Sequence, residues 1–266
     1  MAAPAVAGAA ALVRQYFTNG YYPSGVATAE DAFTPSGALI KACLINSAVD
    51  MANVTGYPAA REGWGRVLLD NALYLTGDAR KLVVHDVRNG TDDALSTGGS
   101  WMQRFRINSG AATVEATLVW HDAPAAVNAS SAAINNLNLS VATSAADVYL
   151  GNNFTNGSSR SGGSPDAINN TEQVLLTSPS AGIAVLRVSA AAVNVGSQGF
   201  AVCLTGDVTP LCPADIDGDG FIDFFDFDAF VSAFESGDTF AADFDGDGFV
   251  DFIDFDAFVS AYESGC

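Results

Sequence analysis

Hydrophobic and polar positions along the chain follow three successive rhythms. Residues 1–17, MAAPAVAGAAALVRQYF, carry no charge before Arg14 and place Pro4 where only a first helical turn tolerates it. The pattern predicts a helix buried on every side, with Gly8 letting a neighbouring backbone approach and Asn19-Gly20 ending it. Leu39, Ile40, Cys43, Leu44 and Ala48 then recur at helical spacing behind Ser36, a capping residue, and a short helix follows from Leu68 to Leu75. From about Gly77 the period becomes alternating. Residues 101–107, 114–120, 137–141, 148–150, 173–177, 183–189 and 200–204 read as short strands between Gly, Asn, Ser and Pro clusters. In Val114–Trp120 the even positions are apolar and belong on one buried face, and seven such strands predict a β-sandwich. Helical spacing returns in 224–235 and 252–263, with Phe227, Phe230, Val231 and Phe234 on one stripe and Phe255, Phe258, Val259 and Tyr262 on the other.

Charge divides the chain more sharply than hydropathy does. Lys and Arg number 11 against 30 Asp and Glu, a formal charge of −19, which argues against nucleic acid or an anionic membrane as partner and favours cations. Residues 212–266 hold thirteen Asp and two Glu with no Lys or Arg, so composition sets a boundary near Pro210. The four cysteines form no close-spaced zinc pattern. Cys212 and Cys266 bracket the acidic segment and are expected to join its ends in a disulfide, as in an exported protein, whereas Cys43 is expected to be a buried free thiol. The apolar opening falls short of the roughly 20 residues a membrane span needs, and its first positive charge, Arg14, lies behind the apolar run where a secretory signal needs it ahead.

The acidic segment contains the clearest chemistry. DIDGDGFIDFFD, starting at Asp215, recurs 28 residues later as DFDGDGFVDFID, starting at Asp243. A twelve-residue loop can wrap the six to eight hard oxygens of a Ca²⁺ ion from positions 1, 3, 5, 7, 9 and 12. In the first copy these are Asp215, Asp217, Asp219, the carbonyl of Phe221, Asp223 and Asp226; in the second, Asp243, Asp245, Asp247, the carbonyl of Phe249, Asp251 and Asp254. Gly220 and Gly248 stand at position 6, where the turn is sharp. Ile222 and Val250, at position 8, are expected to pair the loops across a short strand. An acidic linker has no reason to repeat glycines and phenylalanines in register, so two bound Ca²⁺ ions are expected. Without them the five carboxylates of each loop repel one another and the segment is expected to unfold. Neither histidine is expected to be catalytic, since His121 and Asp122 are strand neighbours pointing to opposite faces and His85 has no nucleophile beside it.

Three sets of motifs carry family resemblances. Residues 1–8, MAAPAVAG, resemble the helix following the nucleophilic serine of subtilisin-like serine peptidases, and TPSGALIK at 34–41 and GWGRV at 63–67 resemble that family's downstream segments in order and spacing. The resemblance implies that Met1 is an internal residue and that the nucleophile, its acid and base partners and the oxyanion-hole asparagine lie ahead of it. LVWHDAP at 118–124, NNLNL at 135–139, YLGNNF at 149–154 and NNTE at 169–172 resemble the jelly-roll domain of some larger bacterial members, although Asn136 and Asn138 stand where that family usually has Asp. The loop-plus-helix repeat resembles a dockerin, with Asp at position 12 where an EF-hand has Glu. Together these imply a multidomain chain: residues 1–76, the helical end of an α/β subtilisin-like domain; 77–207, an all-β jelly-roll sandwich; 208–214, a linker; and 215–266, a small helical dockerin-like calcium-binding domain. The implied protein is a secreted or cell-surface serine endopeptidase acting on protein or peptide substrates, docking to a cohesin-like or surface protein, and inactive without its triad. The alternative is a non-catalytic calcium-binding docking or adhesion protein.

Overall fold

A computed structural model describes residues 2–129, 132–144 and 146–265. The expected internal role of Met1 and the Cys212–Cys266 pairing therefore lie outside the described residues. The chain runs through helices α1 (Ala2–Thr18) and α2 (Gly37–Asn46), then strands β1 (Ala48–Val49), β2 (Arg66–Val67), β3 (Lys81–Asp86), β4 (Ser100–Ile107), β5 (Val114–Val119) and β6 (Asn136–Ala142). It continues through β7 (Val148–Thr155), β8 (Ser158–Ser161), β9 (Thr171–Leu176), β10 (Gly182–Ala192), β11 (Ala201–Gly206) and β12 (Val208–Pro210) to helices α3 (Phe224–Ser236), α4 (Thr239–Ala242) and α5 (Phe252–Ser264). N-terminal helices, a central antiparallel β-sandwich and C-terminal helices thus follow in the expected order. No described helix is long and apolar enough to cross a membrane.

The sandwich has a six-stranded sheet ordered β12-β4-β10-β6-β7-β8 and a four-stranded sheet ordered β3-β11-β5-β9. Alternation explains its interior: Leu137, Leu139 and Val141 of β6 are buried while Asn136, Asn138 and Ser140 between them are partly exposed. The even face of β5 (Val114, Ala116, Leu118), with Trp120 just beyond it, joins the sandwich core as expected. Its odd face is buried as well, because α2 covers it. Asn46 at the end of α2 donates to the carbonyls of Glu115 and Cys203 and to the Thr117 hydroxyl, and accepts from the Thr205 hydroxyl. This buried amide joins the helix to the middle of the sheet. Ser36 caps α2 by accepting from the Leu39 N–H at 3.0 Å. Cys43 is a buried free thiol as expected, and so is Cys203.

Several expectations are corrected. In α1 only Val13, Tyr16 and Phe17 are buried; Ala2 to Gly8 are all exposed, and a side chain at Gly8 would meet nothing within 4 Å. The reason is reach: α2, the loop around Phe33 and the four-stranded sheet extend only to the last two turns of the helix. Leu68–Leu75 forms a single 3-10 turn at Leu69–Asn71 rather than a helix, and residues 208–210, expected in the linker, pair with β4 as an edge strand. Strands β3 and β8 were not expected. His85 lies in β3 with its ring stacked 4.2 Å from Trp101.

Glu172 on β9 is buried, accepts from the Leu139 N–H at 2.8 Å, and has its carboxyl pushed up to about 8 by burial, with the Asp166 charge adding to the rise. A carboxyl that holds its proton longer in the folded than in the unfolded chain, where 4.5 is the ordinary value, costs stability as pH rises between those values. Glu172→Gln keeps an acceptor for Leu139 and removes that slope. The variant is expected to match the parent near pH 4.5 and to gain on it steadily up to about pH 8, read from urea unfolding midpoints; parallel curves would contradict this.

Candidate metal centre

The C-terminal helices close a third core. The rings of Phe230 in α3 and Phe258 in α5 stack 3.9 Å apart and nearly parallel, with Phe244 set edge-on against both. Ala214, Ile216, Ala233 and Ala242 complete its buried part, and Met102 reaches it from β4. The two loops stand at the entrances to α3 and α5. Each helix is started by its loop: Asp223 and Asp251 are the N-caps, each in a capping box with the aspartate three residues on.

Of the predicted ligands, the side chains at positions 1, 3 and 5 converge. Asp215, Asp217 and Asp219 each offer a carboxylate oxygen, all within 4.8 Å of one another, and Asp243, Asp245 and Asp247 do the same. Asp226 and Asp254, at position 12, are both buried and are held by the loop backbone. Asp226 accepts from the N–H groups of Ile216, Asp217 and Asp223, and Asp254 from those of Phe244, Asp245 and Asp251. Asp223 and Asp251, at position 9, accept from the Phe225 and Ile253 N–H groups at 2.8 Å. Ile222 and Val250 pack on the tail core, and no strand joins them among the described residues. A single turn, α4, precedes the second loop.

The donor set suits a hard divalent cation such as Ca²⁺. Asp215 is only 2% exposed, and its Oδ1 lies buried with no hydrogen-bond donor. Burial pushes its carboxyl up, and the charges of Asp226 and Asp217 push it further; Asp245 is raised in the same way, by burial and then by Asp254, Asp247 and Asp251. These groups carry a repulsion that a cation among them would relieve.

Sequence reasoning missed the floor of the site. On the outer face of the six-stranded sheet, Arg104 and Arg106 of β4 and Arg187 of β10 lie beneath the acidic loops. Arg104, fully buried, donates to the Ala241 carbonyl at 2.6 Å, and its guanidinium lies 5.4 Å from the Phe244 ring centre. Arg187 donates to the Asp243 carbonyl at 2.6 Å and pairs with its carboxylate at 3.3 Å; the Ser100 hydroxyl donates to the Asp245 carbonyl. Gly218 and Gly246, both at loop position 4, face this floor: a side chain at Gly218 would meet Arg106 and Ile183, and one at Gly246 would meet Arg187 and Ser100. The signal was present as Arg104-Phe105-Arg106-Ile107, in which charge alternates with core residues in a chain holding few bases.

No catalytic constellation is visible among the described residues. Asp122 accepts from the N–H groups of Ala123, Ile134 and Asn135 and so fixes a loop, while the His121 carbonyl accepts from Gln198.

No family model matches the chain. It is 27% identical to the Serine protease/ABC transporter B family protein tagB of Dictyostelium discoideum, across 82% of this chain and 14% of that protein. It is 27% identical to tagA of the same organism, across 76% of this chain and 12% of that protein, and 26% identical to tagD, across 66% and 12%. The homology to serine protease family proteins is distant and partial. The chain spans about a seventh or less of the length of each of these relatives.

Gly248 and Gly246 both have positive φ, 91° and 79°, but a side chain at Gly248 would meet nothing within 4 Å. Gly248→Ala is therefore expected to cost about 1–2 kcal/mol of backbone strain. Gly246→Ala should cost about 1–3 kcal/mol more by lifting the loop off Arg187 and Ser100. Denaturant unfolding of the tail in saturating Ca²⁺ measures both; equal costs would mean the loop is not pressed on the sheet.

Proposed function

We propose that this chain is part of a secreted subtilisin-like serine endopeptidase, in which the end of the peptidase domain is followed by a jelly-roll sandwich and a calcium-binding, dockerin-like segment. The peptidase part is carried by one coincidence. The motifs at 1–8, 34–41, 63–67 and 118–124 occur in that family's order, and the chain has distant similarity to proteins named as serine proteases. The uncovered apolar surface of α1, including Val6 and Leu12, supports it, since small apolar residues on every side are what a helix inside a larger domain presents. The reaction would be peptide-bond hydrolysis through a serine acyl-enzyme, with a histidine base oriented by an aspartate. None of the residues described here fills those roles. The 266-residue chain alone is expected not to turn over a fluorogenic peptide, and sustained, serine-reagent-sensitive turnover would overturn the assignment. A coding sequence reading Gly-Thr-Ser directly before Met1 would support it.

The tail would hold one Ca²⁺ in each loop, with Asp215, Asp217 and Asp219 and their counterparts Asp243, Asp245 and Asp247 as the inner carboxylates. The support is the orphaned buried oxygen of Asp215 within a repeated twelve-residue loop. Metal would then stabilise α3 and α5. Chelation is expected to remove the helical ellipticity of residues 212–266 and leave the β signal of the sandwich; identical spectra with and without Ca²⁺ would count against metal-dependent folding.

A second reading, a docking protein for a cohesin-like or cell-surface partner, is favoured by one surface. Phe221, Phe224 and Phe225, at loop positions 7, 10 and 11, are exposed, as are Phe249, Phe252 (80% exposed) and Ile253 at the same positions of the second loop. With the arginine floor beneath the loops, these side chains form the tail's uncovered apolar surface.

A further inference from the structure

The two loops repeat in sequence but not in surroundings. In the first, the position-1 carboxylate of Asp215 accepts from the Gly220 N–H through Oδ2 and leaves Oδ1 buried without a donor. In the second, Asp243 accepts from the Gly246 N–H through Oδ1 at 2.7 Å, and its Oδ2 lies 3.3 Å from the Arg187 guanidinium, a pair largely shielded from water. Among the described residues the ion pairs are Arg187–Asp243 and Arg80–Glu115, so no base pairs with a carboxylate of the first loop. Arg106 lies where a side chain at Gly218 would reach, and the charge of Arg104 acts on Asp215 from beyond ion-pair distance.

Arg187 could act on the second loop in two ways. By holding Asp243 it fixes a ligand in place, which favours a metal; by bringing a positive charge to the carboxylate cluster it opposes one. The first effect is small, because the Gly246 N–H already fixes Asp243 Oδ1. The second persists at short range and in a site shielded from solvent. The charge effect therefore dominates.

We propose that Arg187 sets an order of filling, in which the Asp215–Asp226 loop takes its divalent cation first and the Asp243–Asp254 loop needs about tenfold more cation. This rests on the reading of both loops as calcium sites. The repeat then works as two sites of different affinity, and the sandwich that carries Arg187 grades them.

The test is Ca²⁺ titration of the chelator-stripped full chain, followed by NMR through the amides of Gly220 and Gly248, the position-6 glycines. Gly220 is expected to reach half of its final shift at about one tenth of the Ca²⁺ needed for Gly248. Arg187→Gln should move the Gly248 midpoint several-fold towards that of Gly220 and leave Gly220 in place. Arg187→Lys, which keeps the charge without the paired donors, should retain most of the gap. Simultaneous midpoints in the parent chain, Gly248 moving first, or a gap unchanged in Arg187→Gln would overturn the proposal, as would a gap that closes equally in Arg187→Lys. If neither glycine moves, the calcium reading itself fails, a result distinct from both loops filling together.

Discussion

Carboxylate repulsion is the constraint around which the acidic last fifth of the chain is built. Thirteen aspartates and two glutamates share residues 212–266 without a single base, and no fold can gather them unless positive charge or donated hydrogen comes from elsewhere. Part of the answer is local. Asp226 and Asp254 each collect three backbone N–H groups, which turns the last loop carboxylate into the anchor of its own loop. The rest comes from the sandwich, whose outer face supplies three arginines. The tail is thus attached through the hydrogen-bonding and charge of a sheet as well as through its phenylalanine core.

The sandwich can carry this load because its four-stranded sheet is covered on both faces. The even side chains of β5 look into the space between the sheets, and the odd ones meet α2, where Asn46 satisfies the polar groups that burial strands there. The six-stranded sheet has one face left for the tail. Arg104 and Arg106 on β4, and Arg187 on β10, sit at outward positions by the same alternation that sends Phe105, Ile107, Leu186 and Val188 inward.

The sequence revealed what period and composition encode. Seven strands of the sandwich followed from alternation, α3 and α5 from the phenylalanine stripes, and the acidic loops from glycines and aspartates repeating in register. It did not reveal what depends on partners distant in the chain. The MAAPAVAG helix reads as enclosed because small apolar residues carry no record of which neighbour encloses them, and here the sheet reaches only Val13, Tyr16 and Phe17. Strand β12 was hidden because Val208-Thr209-Pro210 is too short to show a period, and its pairing with β4 is set by geometry. Arg187 showed no promise as a site residue, since a lone base in a strand acquires meaning only when the chain returns to it 56 residues later.

A repeated loop and helix invites treatment as a cassette that can be cut from one carrier and spliced to another. Here the glycines at loop position 4 rest on side chains belonging to the carrier, so the cassette's lower surface is shaped for this host. Spliced elsewhere, it would lose the guanidinium that sets Asp243 apart from Asp215. What tells the two loops apart is stored in the strand beneath them.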